Sequence, residues 1–158
     1  MFEYKKTIKT SLVNKLENEL KKIEEAAKSS REYAIADDLK SEGKYDTRAI
    51  EASYIASAEA RRVEEIKLDL QMIQEMEINP SRHLEMGSLA LIEHNSRDQF
   101  YFLSPTMGGE MLNVDGKMIL VISVFSPIGS EAMNLECGDS FEVETPKESR
   151  VYKIKEIY

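Results

Sequence analysis

The sequence predicts an α+β chain, with a long antiparallel α-helical coiled-coil hairpin followed by a small β-rich domain. Two observations carry this. Of seven glycines and four prolines, only Gly43 precedes Asn79, so the first half holds one helix breaker, near its middle. Beyond Asn79, short β-type runs alternate with turn residues. The expected organisation is a helical hairpin over 1–79 with its tip near 38–47, a linker over 80–86, and an α+β domain over 87–158.

The hairpin rests on periodicity. Val13, Leu16, Leu20, Ile23, Ala27, Ser30 and Ala34 repeat at alternating spacings of three and four, a heptad seam. Ala49, Ala52, Ala56, Glu59, Val63, Ile66, Leu70 and Ile73 repeat the pattern, broken by Glu59. If the chain reverses near residue 43, Leu16 faces Leu70 and Ala34 faces Ala52, so large residues meet large at the base and small meet small toward the tip. Thr47 suits the cap of the second arm, and Asn79-Pro80 is its expected stop.

The second half reads as strands at Leu89–Ile92, Phe100–Leu103, Met118–Phe125, Phe141–Val143 and Val151–Ile154. Turn signals separate them at Asn95-Ser96, Met107-Gly108-Gly109, Asp115-Gly116 and Pro146-Lys147. Ser126-Pro127 opens a short helix through Met133, because proline suits a helix's first turn, and Asn134 suits a left-handed end.

Composition narrows the function classes. The 158 residues carry 21 Lys and Arg against 29 Asp and Glu, a net charge of -8, which excludes a general DNA-coating role that needs a basic footprint. No apolar run approaches the ~20 residues that span a bilayer, and Met1–Lys6 lacks the apolar centre of a signal peptide. A single cysteine, Cys137, excludes an intrachain disulfide and fits a reducing compartment. The expectation is a cytoplasmic protein with no membrane contact. The matched arms favour an intrachain hairpin, hence a monomer. His83 and His94 have no ligand-like neighbours, and Cys137 sits between acids that disfavour a thiolate.

Candidate chemistry gathers at the hairpin tip, where Asp37, Asp38, Glu42 and Asp46 stand within ten residues. A carboxylate pair can share a Mg²⁺ with a partner's site, since that ion takes one or two carboxylates plus water and phosphate. Acids near Thr47 also suit a helix N-terminus without any metal. Ser41, Tyr45 and Arg48 are candidate supports, with Arg48 able to pair with Asp46 or Glu51.

The most specific stretch runs Val121-Ile122-Ser123-Val124-Phe125-Ser126-Pro127-Ile128-Gly129-Ser130-Glu131-Ala132-Met133-Asn134, followed by Gly138-Asp139. It resembles the signature of the bacterial GreA/GreB transcript cleavage factors, as do Thr145-Pro146 and the ending Tyr152–Tyr158. Lys15–Leu20 and Arg62–Ile66 are similar to the family's arms. The resemblance implies an FKBP-like C-terminal domain that binds bacterial RNA polymerase, with Ser126, Pro127, Ile128 and Gly129 as polymerase-binding residues. It implies a hairpin that enters the polymerase's secondary channel and meets the 3′ end of backtracked RNA. Two tip carboxylates then help hold a polymerase Mg²⁺ and a water, so the chain is an accessory factor rather than an enzyme, with no intrinsic cofactor. Matching Asp38-Leu39 and Tyr45-Asp46 to the family places Asp38 on the first acid and Ser41 on the second, with Glu42 adjacent. Matching from the arms places the pair near Glu42 or Gly43 and near Tyr45 or Asp46. Asp38, Glu42 and Asp46 are therefore the candidate catalytic and Mg²⁺-sharing acids. The alternative is a Gre-like channel regulator or inhibitor that does not stimulate cleavage.

Overall fold

The structure is a computed structural model that describes residues 2–38 and 47–158, with the side chains at 34, 37, 38, 48 and 49 left aside. It forms two compact units, one of Asn14–Leu70 and one of Met1–Val13 with Gln71–Tyr158.

The first unit is the helical hairpin. Helix α1 spans Phe2–Asp38 and α2 spans Thr47–Glu75, so Thr47 is the first helical residue of the second arm. Within Asn14–Leu70, Leu16 and Ile66 are buried, and Leu20, Ile23, Ala27, Ser30, Ala52, Ala56, Glu59, Val63 and Leu70 are half-buried. Nearly all other described side chains there are exposed, which is the heptad seam read from the sequence. Glu59 finds a partner across it, accepting a 3.3 Å hydrogen bond from Ser30 Oγ, while its second carboxylate oxygen is buried without one. Arg62 reaches Glu19 at 2.7 Å and Lys67 reaches Glu24 at 3.9 Å on the exposed flanks. Exposed pairs of this kind contribute ~0–1 kcal/mol, so the apolar seam dominates the hairpin's cohesion.

The second unit is built on a six-stranded sheet of β1 Leu89–His94, β2 Arg97–Ser104, β3 Met111–Val114, β4 Lys117–Ser123, β5 Ser140–Glu144 and β6 Ser149–Ile157. Their spatial order is β3-β4-β2-β1-β6-β5. All neighbours are antiparallel except β2 and β4, which run parallel with Phe102 beside Val121. Asn95-Ser96 and Asp115-Gly116 take positive φ at both turn positions, the geometry that matches the twist of a two-residue hairpin. A short helix α3, Pro127–Ala132, follows β4. Asn134 has φ 65°, the left-handed end its position predicts. The core gathers Leu84, Ala90, Ile92, Tyr101, Leu103, Ile122, Val124, Ala132, Phe141, Val143, Tyr152 and Ile154. Tyr152 stacks on Phe141 at 5.1 Å and on His94 at 4.5 Å, which gives that histidine a structural place.

Two differences from the sequence reading have physical causes. Strand β3 was not predicted, because Met111-Leu112-Asn113-Val114 offers only two buried side chains and follows a glycine pair. Helix α2 ends at Glu75, short of Asn79-Pro80. Proline bars its predecessor from helix, and lysines from α1 take the nearby carbonyls. Lys9 Nζ donates to Gln74 O at 2.8 Å and Met76 O at 2.7 Å, and Lys5 Nζ donates to Asn79 O at 2.6 Å. Tyr4 Oη donates to Val114 O at 2.6 Å. These bonds place the first thirteen residues in the sheet unit, so compactness divides the chain at 13/14 and 70/71, whereas glycine and proline divide it by element type.

Candidate functional site

Ser41, Glu42, Tyr45 and Asp46 lie outside the described residues. Asp38 ends α1 and Arg48 follows the first residue of α2, but their side chains are also outside that description. Among the described residues, no three carboxylate, imidazole or thiol groups converge in a way that could hold a metal.

The four residues from Ser126 to Gly129 are fully described, and they form one local device. Ser126 sits in extended backbone with φ -79° and ψ 159°, and its Oγ accepts a 3.1 Å bond from Gly129 N. The same hydroxyl donates to Ser123 O at 2.7 Å. Ser126 thus caps α3 and ties its start to the end of β4 in one step. Pro127 occupies the first turn, where its missing N–H costs nothing. Gly129 is buried, and a β-carbon there would lie 2.0 Å from Ser123 O. A β-carbon at Gly108 would lie 2.9 Å from Ser123 N. The Ser123 backbone is therefore approached closely by both glycines, at its N by Gly108 and at its carbonyl by Gly129, and a side chain at either position would clash with it.

That clasp brings two grooves to the end of β4. One, of about 610 Å³, is lined by Phe125, Pro127, Ser130, Glu131 and the β5 residues Glu142–Glu144. The other, of about 500 Å³, is lined by Pro105–Gly109, Leu120–Ser123, Ser126 and Ile128. The predicted quartet is therefore split. Pro127 faces the first groove, Ser126 and Ile128 face the second, and buried Gly129 acts by position alone. Phe125, 74% exposed, stands in the first groove beside three glutamates and was not among the predicted binding residues. Its signal in the sequence was an aromatic directly before Ser-Pro. Glu142 and Glu144 could not be found that way, since the folded sheet is needed to bring β5 against α3. An exposed ring among carboxylates suits docking of an apolar segment flanked by basic residues, and it offers no acid–base machinery.

Elsewhere Cys137 Sγ donates to Lys155 O at 2.8 Å, and His83 lies 3.6 Å from Glu85. Neither joins a cluster. Hydrogen bonding to Glu156 pushes the Tyr158 phenol up to about 12. No helix among the described residues is long and apolar enough to cross a membrane.

Comparison with known proteins points in one direction. Residues 108–158 match the family described as "Transcription elongation factor, GreA/GreB, C-term". A transcription elongation factor GreA from Neorickettsia sennetsu is 26% identical over 148 residues, covering 89% of this chain and 87% of that protein. Among solved structures, the transcription factor Gfh1 is 16% identical with a TM-score of 0.41, covering 92% of each chain. GreA factor homolog 1 (Gfh1) of Thermus thermophilus is 17% identical with a TM-score of 0.38, covering 92% of this chain and 94% of that one. The family match takes in β4, α3 and the clasp around Ser123, and the alignment with GreA extends across most of the chain, so the chain is similar to transcription elongation factors of the GreA/GreB type, most specifically over residues 108–158.

Proposed function

We propose that this chain binds bacterial RNA polymerase through its C-terminal unit and inserts the hairpin end into the secondary channel, where it stimulates cleavage of backtracked RNA. The observation that carries the reading is the pairing, in one chain, of a GreA/GreB-type C-terminal domain with an N-terminal helical hairpin. The grooves around Phe125, Pro127 and Ile128 supply the docking surface, and Ser126 and Gly129 hold it in shape. Asp38, Glu42 and Asp46 are the acids offered to the polymerase's Mg²⁺, which supplies the activation of water for phosphodiester hydrolysis. Ser41, Tyr45 and Arg48 support them. The hydrolysis belongs to the polymerase, and this chain acts as a monomeric accessory factor in the cytoplasm.

The test is a purified elongation complex, backtracked by several nucleotides and labelled at the RNA 3′ end. Added protein should release short labelled fragments. Glu42→Ala with Asp46→Ala should cut that release at least a hundredfold while polymerase affinity changes less than twofold. Equal cleavage by wild type and the double variant would remove these acids from the mechanism.

One observation favours a second reading. The register set by Asp38-Leu39 leaves Ser41 where a second carboxylate is needed, and a hydroxyl cannot replace it. A non-cleaving regulator in the same channel would slow nucleotide addition and release no 3′ fragment. It would still compete with an established secondary-channel factor.

A further inference from the structure

The chain has eight methionines, and four of them meet in one place. Met72, Met76, Met86 and Met133, with Pro105, line a groove of about 550 Å³ within the sheet unit. The groove shares only Pro105 with the two at the end of β4. Methionine is unbranched and polarizable, so a wall built from it adapts to the side chains it meets. Met86 is 36% exposed, and Met72 and Met133 are half-buried, so the wall is open to solvent.

The polar part of the lining is Asn79 with three carboxylates, Glu75, Glu77 and Glu85, and among the described residues it includes no cation. Gln71 Nε2 donates to Glu75 at 2.8 Å, Asn79 Nδ2 donates to Glu77 at 3.1 Å, and His83 lies 3.6 Å from Glu85. Lys5 and Lys9 turn their ammonium groups to the carbonyls of Asn79, Gln74 and Met76 instead. Met76 N donates to Met72 O, and Glu85 N donates to Ser88 Oγ at 3.0 Å. With those backbone groups already bonded, an added strand finds few ladder partners, and recognition falls to side chains. Three carboxylates also repel a phosphate backbone or an anionic lipid surface. A second copy would bring a net charge of -8 against them. What complements an adaptable apolar wall with an acidic rim is a protein segment that is apolar on one side and basic beside it.

We propose that this groove receives a basic amphipathic helical segment of another protein. Its apolar side chains seat among the four methionines, and its lysines or arginines face Glu75, Glu77 and Glu85. The thioethers supply apolar contact without fixing one sequence, and the carboxylates select basic segments over acidic ones. The site is separate from the surface assigned above to polymerase docking, and it stands whether or not that assignment does.

The probe is a fluorescein-labelled peptide of leucine and lysine patterned as an amphipathic helix, titrated with the full-length chain and followed by anisotropy. Wild type should bind it, and should not bind a sibling peptide with glutamate in place of each lysine. Met72→Gln with Met86→Gln should weaken binding at least tenfold. Glu75→Gln, Glu77→Gln and Glu85→Gln together should weaken it about as much and remove most of its salt dependence. Glu17→Gln, Glu25→Gln and Glu64→Gln, which remove the same charge from exposed hairpin positions, should leave binding unchanged. Far-UV circular dichroism checks the fold, and if the double methionine variant unfolds, Met86→Gln alone should cost about threefold. A wild type that fails to bind at about 100 μM would overturn the proposal. So would equal affinity for wild type and the groove variants, or an equal loss in the hairpin control, which would reduce the effect to net charge. Concentration-dependent dimers that Met86→Gln abolishes would overturn it in favour of a second copy.

Discussion

A β-carbon at position 129 would sit 2.0 Å from the Ser123 carbonyl oxygen, so Gly129→Ala has to push α3 off the end of β4. Backbone cannot yield as a flexible side chain does, and overpacking of this kind costs roughly 1–3 kcal/mol. Urea unfolding of the full chain should show a loss at the upper end of that range. Ser126→Ala should lose about 1 kcal/mol, the ordinary cost of a helix cap. If Gly129→Ala proved as stable as wild type, the clasp would be looser than its geometry. Ser126, Pro127 and Gly129 were legible in the sequence because a Ser-Pro helix start is a local signal. Phe125's neighbours Glu142 and Glu144 were not, because only the β5–β6–β1–β2–β4 succession of the sheet brings them near α3. The tip acids stay as residue types and spacings.

At the scale of elements, the helical arms were legible because a heptad pattern repeats many times and each repeat confirms the others. Strand β3 has four residues and one alternation, too few to stand out. The end of α2 was misjudged for a different reason. Its stop is set by cations from another helix, and Lys5 and Lys9 read in sequence as surface charges of the first arm. Lys5 is 1% exposed, and burial pushes its ammonium below its usual range, partly offset by Glu85. The folded state therefore binds the Lys5 proton less tightly than the unfolded chain does. Lys5 weakens the fold below its folded pKa, and this penalty is relieved as pH rises through that value toward 10.5. The melting temperature of wild type relative to Lys5→Met should accordingly climb between neutral pH and about 10. A flat or falling difference would mean that the ammonium is not desolvated.

For the whole molecule, the unit that carries the docking grooves is assembled from both ends of the chain. Tyr4 to Val114, Lys5 to Asn79 and Lys9 to Met76 are hydrogen bonds inside that unit. At about 1 kcal/mol each, a fragment of residues 71–158 should be at least ~3 kcal/mol less stable than the same unit in the full chain. Urea titration of the fragment measures it, and full stability there would make the first thirteen residues dispensable. Net charge and breaker placement revealed two kinds of architecture in sequence, yet could not reveal this sharing, which depends on side chains that meet only after the chain has doubled back.

That sharing sets an order of events during synthesis. Tyr4 is bonded to a residue 110 positions later, so this partner does not exist until most of the chain has been made, whereas Lys9 and Lys5 find theirs earlier, at Gln74, Met76 and Asn79. Left to an open coil, closing so large a loop would be slow. The intervening hairpin shortens the problem. Its contacts are mostly between arms that emerge early, and once they zip, Val13 and Gln71 are held near each other. The remaining search is then local, and the sheet closes on a preassembled root.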